Sequence, residues 1–162
     1  MLSEWISSMA LDLTTVVAWS LMERELAAAL IFAFAVSLTA LGVPGLVIPL
    51  SILSSTALGP LASAVVVVAG LAVGSQAMFL FVRRMGRERI RSLAGSRFER
   101  IVLECDKRGV LYSIGLRALG TPHVLVTGAS AVTSMSASTF ALATIVGFAP
   151  VVLISTHLSR LL

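Results

Sequence analysis

The chain has 162 residues, of which 57% are hydrophobic and only 12% charged, with mean hydropathy +1.00 and net charge +4. Soluble domains carry about 25% charged residues, so this composition excludes an ordinary soluble domain and gives one compact membrane domain. One cysteine, Cys105, excludes an internal disulfide, and its neighbours Glu104 and Asp106 disfavour a thiolate.

Residues 1–24 read as an amphipathic N-terminal segment. Trp5, Ile6, Met9, Leu13, Val16 and Val17 recur at roughly helical spacing, for a helix lying in the interface or packing on the bundle. It is not a convincing signal peptide, because a basic leader is missing and Glu4 and Asp12 interrupt the apolar stretch.

From Leu26 to Val82 no Asp, Glu, Lys, Arg or His occurs. Fifty-seven uncharged residues exceed one membrane helix of ~20 residues, and two helices leave a surplus of roughly fifteen. That surplus holds Pro44, Gly45, Pro49, Gly59 and Pro60, which break a straight helix. The spacing predicts a first span over 25–42, a re-entrant hairpin over 43–59 and a second span over 60–82. Irregular backbone at membrane depth needs protein or a watery cavity to satisfy its N–H and C=O groups; a kink or an interfacial loop is the plainer reading. Gly70 and Gly74 form a GxxxG, which permits close helix contact. Gln76, the one amide of the run, could hydrogen-bond between helices.

Nine of the twelve Lys/Arg fall between Arg83 and Arg108. Flanked by apolar segments, this block points to anionic lipid headgroups rather than nucleic acid, and to the cytoplasmic face. Arg83, Arg84 and Arg87 mark the exit of the second span as headgroup or interface residues. Ile90, Leu93, Ala94, Phe98, Ile101, Val102 and Cys105 form a helical stripe, so 84–108 is expected as a cytoplasmic amphipathic helix on the membrane surface, or else a connector packed on the bundle.

After Gly109 the chain is apolar again. Gly109, Gly115, Gly120, Pro122 and Gly128 interrupt 109–128, a second hairpin expected to enter from the opposite side. Residues 130–138 are small and hydroxyl-rich, and a last span over 139–158 is expected to break near Gly147 and Pro150. The fold class is therefore all-α, a polytopic integral membrane protein with two opposed re-entrant hairpins in an inverted repeat, about three full spans and amphipathic surface helices. In transporters of this logic the substrate site lies where the repeats meet.

Arg117 is the only permanent charge between Gly109 and Ser159. An intramembrane arginine is costly, and its planar fork matches phosphate; alternatively it snorkels to the interface or ties down hairpin carbonyls. His123, six residues on, could carry a proton or a second phosphate contact, or be a satisfied structural residue. Pro44, Gly45 and Pro122 end helices and could free helix N-termini for an anion. No hydrolase, transferase or metal-ligand constellation is visible, so the expectation is a non-enzyme without metal or cofactor. Membrane lipids are the expected partners, with no nucleic acid, and the small-residue faces allow a homo-oligomer.

Residues 55–87 resemble the DedA superfamily, also called the VTT or SNARE-associated Golgi protein family. The resemblance rests on Pro44-Gly45, Gly59-Pro60, Gly70 with Gly74, and Arg83-Arg84-Met85-Gly86-Arg87, followed by Arg117, Pro122, Ala131, Phe140 and Gly147-Phe148-Ala149-Pro150. It covers roughly residues 40–152. Phe34 and Leu46 stand where many bacterial members carry acids associated with proton coupling, and His123 stands where many carry a second Arg. The resemblance implies lipid handling: flipping or scrambling of phospholipids or polyprenyl phosphate between leaflets, in a bacterial-type inner or plasma membrane. A membrane scaffold without transport, or a carrier of a small anion, remains open on the residues alone.

Overall fold

A computed structural model describes residues 2–43, 45–86, 90 and 95–158, with side chains from residue 21 onward, Arg97 excepted. Pro44, Arg87, Leu93, Ala94 and the side chains of the N-terminal stripe from Trp5 to Val17 lie outside the described residues. Seven helices make up the described fold: α1 (Leu2–Ala40), α2 (Val47–Leu58), α3 (Pro60–Met85), α4 (Ser96–Arg108), α5 (Val110–Ala118), α6 (His123–Val132) and α7 (Ala137–Leu158). Among the described residues no strand occurs.

The N-terminal segment and the first span are one element. Helix α1 runs unbroken for 39 residues through the charged turn Glu23-Arg24-Glu25. Three adjacent charges change what surrounds a helix, but they do not remove any backbone hydrogen bond. Two helices, α3 and α7, are long and apolar enough to cross a membrane. The uncharged part of α1, residues 26–40, is shorter than the ~20 residues a span requires, so the expectation of three full spans becomes two such helices plus α1.

Helix α3 is the centre of the assembly and packs on α1, α2, α6 and α7. Its Gly70 and Gly74 are where α1 comes closest. A Cβ at Gly70 would lie 2.7 Å from the Ala35 Cβ, and one at Gly74 would overlap the Thr39 hydroxyl and the Val36 carbonyl. The GxxxG is therefore a helix-packing notch. Gln76 also joins helices, donating from Nε2 to the Ala137 carbonyl of α7 at 3.2 Å. One apolar cluster gathers Ala35, Leu50, Ala64, Val67, Leu71, Phe148 and Val152. Outward, Leu26, Leu30 and Phe34 of α1, Leu61 and Val65 of α3, and Leu142, Val146 and Ile154 of α7 are all exposed. Apolar area spread over three helix faces is what a lipid solvent covers.

Both interrupted regions fold as short helices. Gly59, at φ +80°, turns α2 directly into α3, with Pro60 in the first turn where a missing N–H costs nothing. The Ser54 and Ser63 hydroxyls meet across this bend. In the second region α5 and α6 flank a turn at 119–122, and α6 extends to Val132, past the expected end at 128. Arginines clasp the carbonyl ends of both short helices. Arg24 of α1 donates to the Leu58 carbonyl of α2 at 3.1 Å. Arg83 of α3 donates to the carbonyls of Ala131, Thr133 and Met135 at 3.3, 3.0 and 2.7 Å. Each cation meets the negative end of a helix dipole and its unpaired carbonyls.

Two further expectations are corrected. Helix α7 continues through Gly147 and Pro150 without a break. Proline removes one N–H donor, and neighbouring helices can hold a membrane helix together across that loss. The stripe of α4 also faces protein: Phe98 and Val102 are buried against Ala129 and Val132 of α6, with Cys105 buried beside them. Periodicity defined this stripe, and α6 rather than the bilayer covers its described part.

Burial pushes the Cys105 thiol up to about 11, with Asp106 and Glu104 adding to the rise and the Arg117 charge opposing it. The thiol is therefore protonated below that value and becomes a thiolate only as pH rises toward it. Labelling by a maleimide in the folded protein is expected to be at least about a hundredfold slower at pH 7.5 than for a free cysteine of pKa ~8.5, and to climb steadily to pH 10. A rate equal to free cysteine at pH 7.5 would contradict the burial.

Candidate functional site

Arg117 sits in the last turn of α5 and is only 2% exposed. Its Nη1 donates to the Ser113 hydroxyl, one turn earlier, at 2.8 Å. Its Nη2 reaches the Thr127 hydroxyl of α6 at 3.4 Å. The Nε–H is buried without a partner. Guanidinium only donates, so Thr127 accepts from Arg117, and the same hydroxyl lies 3.2 Å from Nδ1 and 3.4 Å from Nε2 of His123. Thr127 thus links Arg117 to His123, with the direction of the second contact set by the His123 tautomer.

Aromatic rings of α7 flank the charge. The Arg117 Cζ lies 4.9 Å from the Phe140 ring centre and 5.9 Å from that of Phe148. Phe140 in turn stacks on Phe79 of α3 at 4.2 Å, and the Arg83 guanidinium lies over the Phe79 ring at 4.6 Å. Ring faces carry partial negative charge and stabilise a cation, though less than a carboxylate would. A Cβ at Gly147 would lie 2.8 Å from the Arg117 Cβ and 3.0 Å from its Cδ. The arginine stem therefore crosses α7 only because residue 147 has no side chain.

A cavity of about 360 Å³ opens onto this charge. Arg117, Pro122, His123 and Phe148 line one part, with the turn residues Gly120 and Thr121. Thr39, Val43, Gly45, Val47, Ile48 and Val151 line the rest. The first residues of α2 and of α6 thus both reach the same cavity. Neither helix start has a side-chain cap: Leu46 precedes α2 and Pro122 precedes α6. Uncapped first-turn N–H groups and the positive ends of two helix dipoles make this an environment for an anion. None of the residues lining it is acidic.

Of the residues singled out in the sequence, Gly45, Arg117, Pro122 and His123 come together here. Arg83 does not; it is the clasp on α6 described above, and Arg84 is exposed. His157 is exposed and bonded to its own helix at the Leu153 carbonyl. The alternative roles for Arg117 are not what its bonds describe: it is buried rather than snorkelling, and its partners are hydroxyls rather than hairpin carbonyls. The sequence reading missed Ser113, Thr127, Thr39, Val43 and the notch role of Gly147. Two of these carried a signal, since Ser113 precedes Arg117 by four residues and Thr127 follows His123 by four, which is one helical face. Among the described residues no group of three or more His, Cys, Asp or Glu is placed to hold a metal ion.

The sequence model of the VTT domain matches residues 43–161. The chain belongs to the VTT-domain family, the DedA and SNARE-associated Golgi protein family. The match begins just before α2 and takes in α2 to α7, and so the cavity, apart from the α1 residue Thr39, falls within it. No curated protein and no solved structure matches the chain. Family and apolar helices together point to a membrane protein; this VTT-domain member lacks acids at Phe34 and Leu46, as its sequence shows.

Proposed function

We propose that this VTT-domain protein is a membrane lipid transporter of flippase or scramblase type. It moves a phosphate-bearing lipid, a phospholipid or a polyprenyl phosphate, between leaflets. The observation that carries this reading is the Arg117 cavity, where a buried cation with an unpartnered Nε–H and two uncapped helix starts converge. In this reading α2 and the α5–α6 pair are the re-entrant elements of an inverted repeat, entering from opposite faces. Support for the repeat is the common plan of the two halves: a short helix begins at the cavity, ends under an arginine clasp, and leads into a long apolar helix. In this reading the basic segment 84–108 lies on the cytoplasmic side of an inner or plasma membrane, which its excess of Lys and Arg supports.

A non-transporting scaffold requires a dry interior with Arg117 satisfied by protein. An unpartnered Nε and a cavity reaching the guanidinium count against it. The deciding measurement is a leaflet-resolved assay in liposomes holding purified protein and trace fluorescent phospholipids or a polyprenyl phosphate. Protein-dependent exchange between leaflets is expected; no exchange with any of these lipids would overturn the proposal.

A further inference from the structure

We infer that the Arg117 cavity selects headgroups whose phosphate is their only charge, such as phosphatidate or phosphatidylglycerol, over zwitterionic headgroups that pair the phosphate with an amine. This deepens the proposed transport function and rests on it. The phosphate end of either class has the same partners: the Arg117 donors and the starts of α2 and α6. The difference lies in what awaits the ammonium. Among the described residues lining the cavity there is no Asp or Glu to receive it.

An aromatic box could replace a carboxylate for a quaternary amine. Among the described residues lining the cavity, Phe148 is the one aromatic ring apart from the His123 imidazole, and its face is already turned to Arg117 at 5.9 Å. An amine carried within a few ångströms of its phosphate therefore meets a fixed positive charge, two positive helix ends and no compensating acid. Juxtaposed like charges discriminate strongly at a desolvated site. A headgroup of net charge −1 or −2 meets only attraction.

The test compares four fluorescent lipids of matched acyl chains in protein-containing liposomes: phosphatidate, phosphatidylglycerol, phosphatidylcholine and phosphatidylethanolamine. Uptake of inorganic phosphate is measured in parallel. The two anionic lipids are expected to exchange at least about tenfold faster than the two zwitterionic ones. Equal rates for all four overturn the selectivity and leave lipid transport standing. Entry of inorganic phosphate with no lipid exchange overturns the lipid reading itself and assigns the cavity to a free anion.

A second variant reads the charge argument directly. Val43 lines the cavity from the turn between α1 and α2 and is 40% exposed, so a longer polar side chain fits there. Val43→Glu is expected to narrow the anionic preference to a few-fold by giving the ammonium a partner, whereas Val43→Gln leaves it in place. A preference unchanged by Val43→Glu, in protein of native thermal stability, overturns the inference.

Discussion

Arg117→Met is expected to abolish lipid exchange, by at least about thirtyfold, while leaving the protein as stable as the wild type or more so. Loss of a buried, hydrogen-bonded charge at a recognition site typically costs 2–5 kcal/mol, which corresponds to roughly 30-fold or more at 1.4 kcal/mol per factor of ten. Stability runs the other way. Arg117 is buried with one N–H unpaired and no carboxylate at the cavity, so folding has already desolvated a charge that only hydroxyls and ring faces compensate. Replacing such a group by an apolar side chain of similar length is often neutral or stabilising by about 1–4 kcal/mol. A structural tie predicts the reverse: lost exchange together with a lower melting temperature. Arg117→Lys separates charge from geometry, because a lysine keeps the charge and loses the two-point fork. Measured in the same liposomes and by thermal unfolding in detergent, a destabilised Arg117→Met would show that the arginine holds the fold rather than the substrate.

Gly147→Ala is expected to reduce exchange by about tenfold or more through Arg117, whereas Gly74→Ala acts through the fold, opening the α1–α3 contact beside the cavity residue Thr39. In α7 the new methyl would lie 2.8 and 3.0 Å from two carbons of the Arg117 stem and 3.4 Å from the Ile114 carbonyl. The side chain must yield, which withdraws the guanidinium from Ser113 and Thr127. The added carbon itself costs typically 1–3 kcal/mol in a packed interior, partly offset by about 1 kcal/mol of helix propensity gained over glycine. In α3 the methyl at residue 74 would collide with the Val36 carbonyl, which is backbone of α1 and cannot turn aside. The α1–α3 contact must open there, at a cost at the upper end of that range or beyond it. Wild-type exchange from a folded Gly147→Ala protein would show that Arg117 works equally well from another position.

What the sequence conveyed follows from its contrasts. Arg117 and His123 are conspicuous because charge is rare in apolar sequence, and Pro122 and Gly45 because they interrupt it; these four line one cavity. Ser113 and Thr127 are just as close to the charge, but serine and threonine are common in membrane helices and mostly bond back to their own backbone, as Thr144 does to the Phe140 carbonyl at 2.8 Å. The stripe on α4 gave a face without its cover: 3.6-residue periodicity distinguishes inside from outside and is silent on whether lipid or α6 lies inside. Pro150 and the Glu23-Arg24-Glu25 turn are local signals overruled by long helices packed on neighbours. The VTT-domain resemblance was legible from ordered pieces, none specific alone, and the family match over 43–161 bears it out.

Under the proposed function, the lack of an acid among the described residues lining the Arg117 cavity would make the passage of an anionic lipid an electrical event. A carboxylate could carry a proton alongside an anionic headgroup and cancel its charge; the lining of this cavity has none. A singly charged lipid that crossed without a proton on His123 would move one uncompensated negative charge. A membrane potential of 100 mV acts on that charge with about 2.3 kcal/mol, roughly a fiftyfold ratio at equilibrium. In a polarised membrane, such a path would sort singly charged acidic lipids toward the positive side.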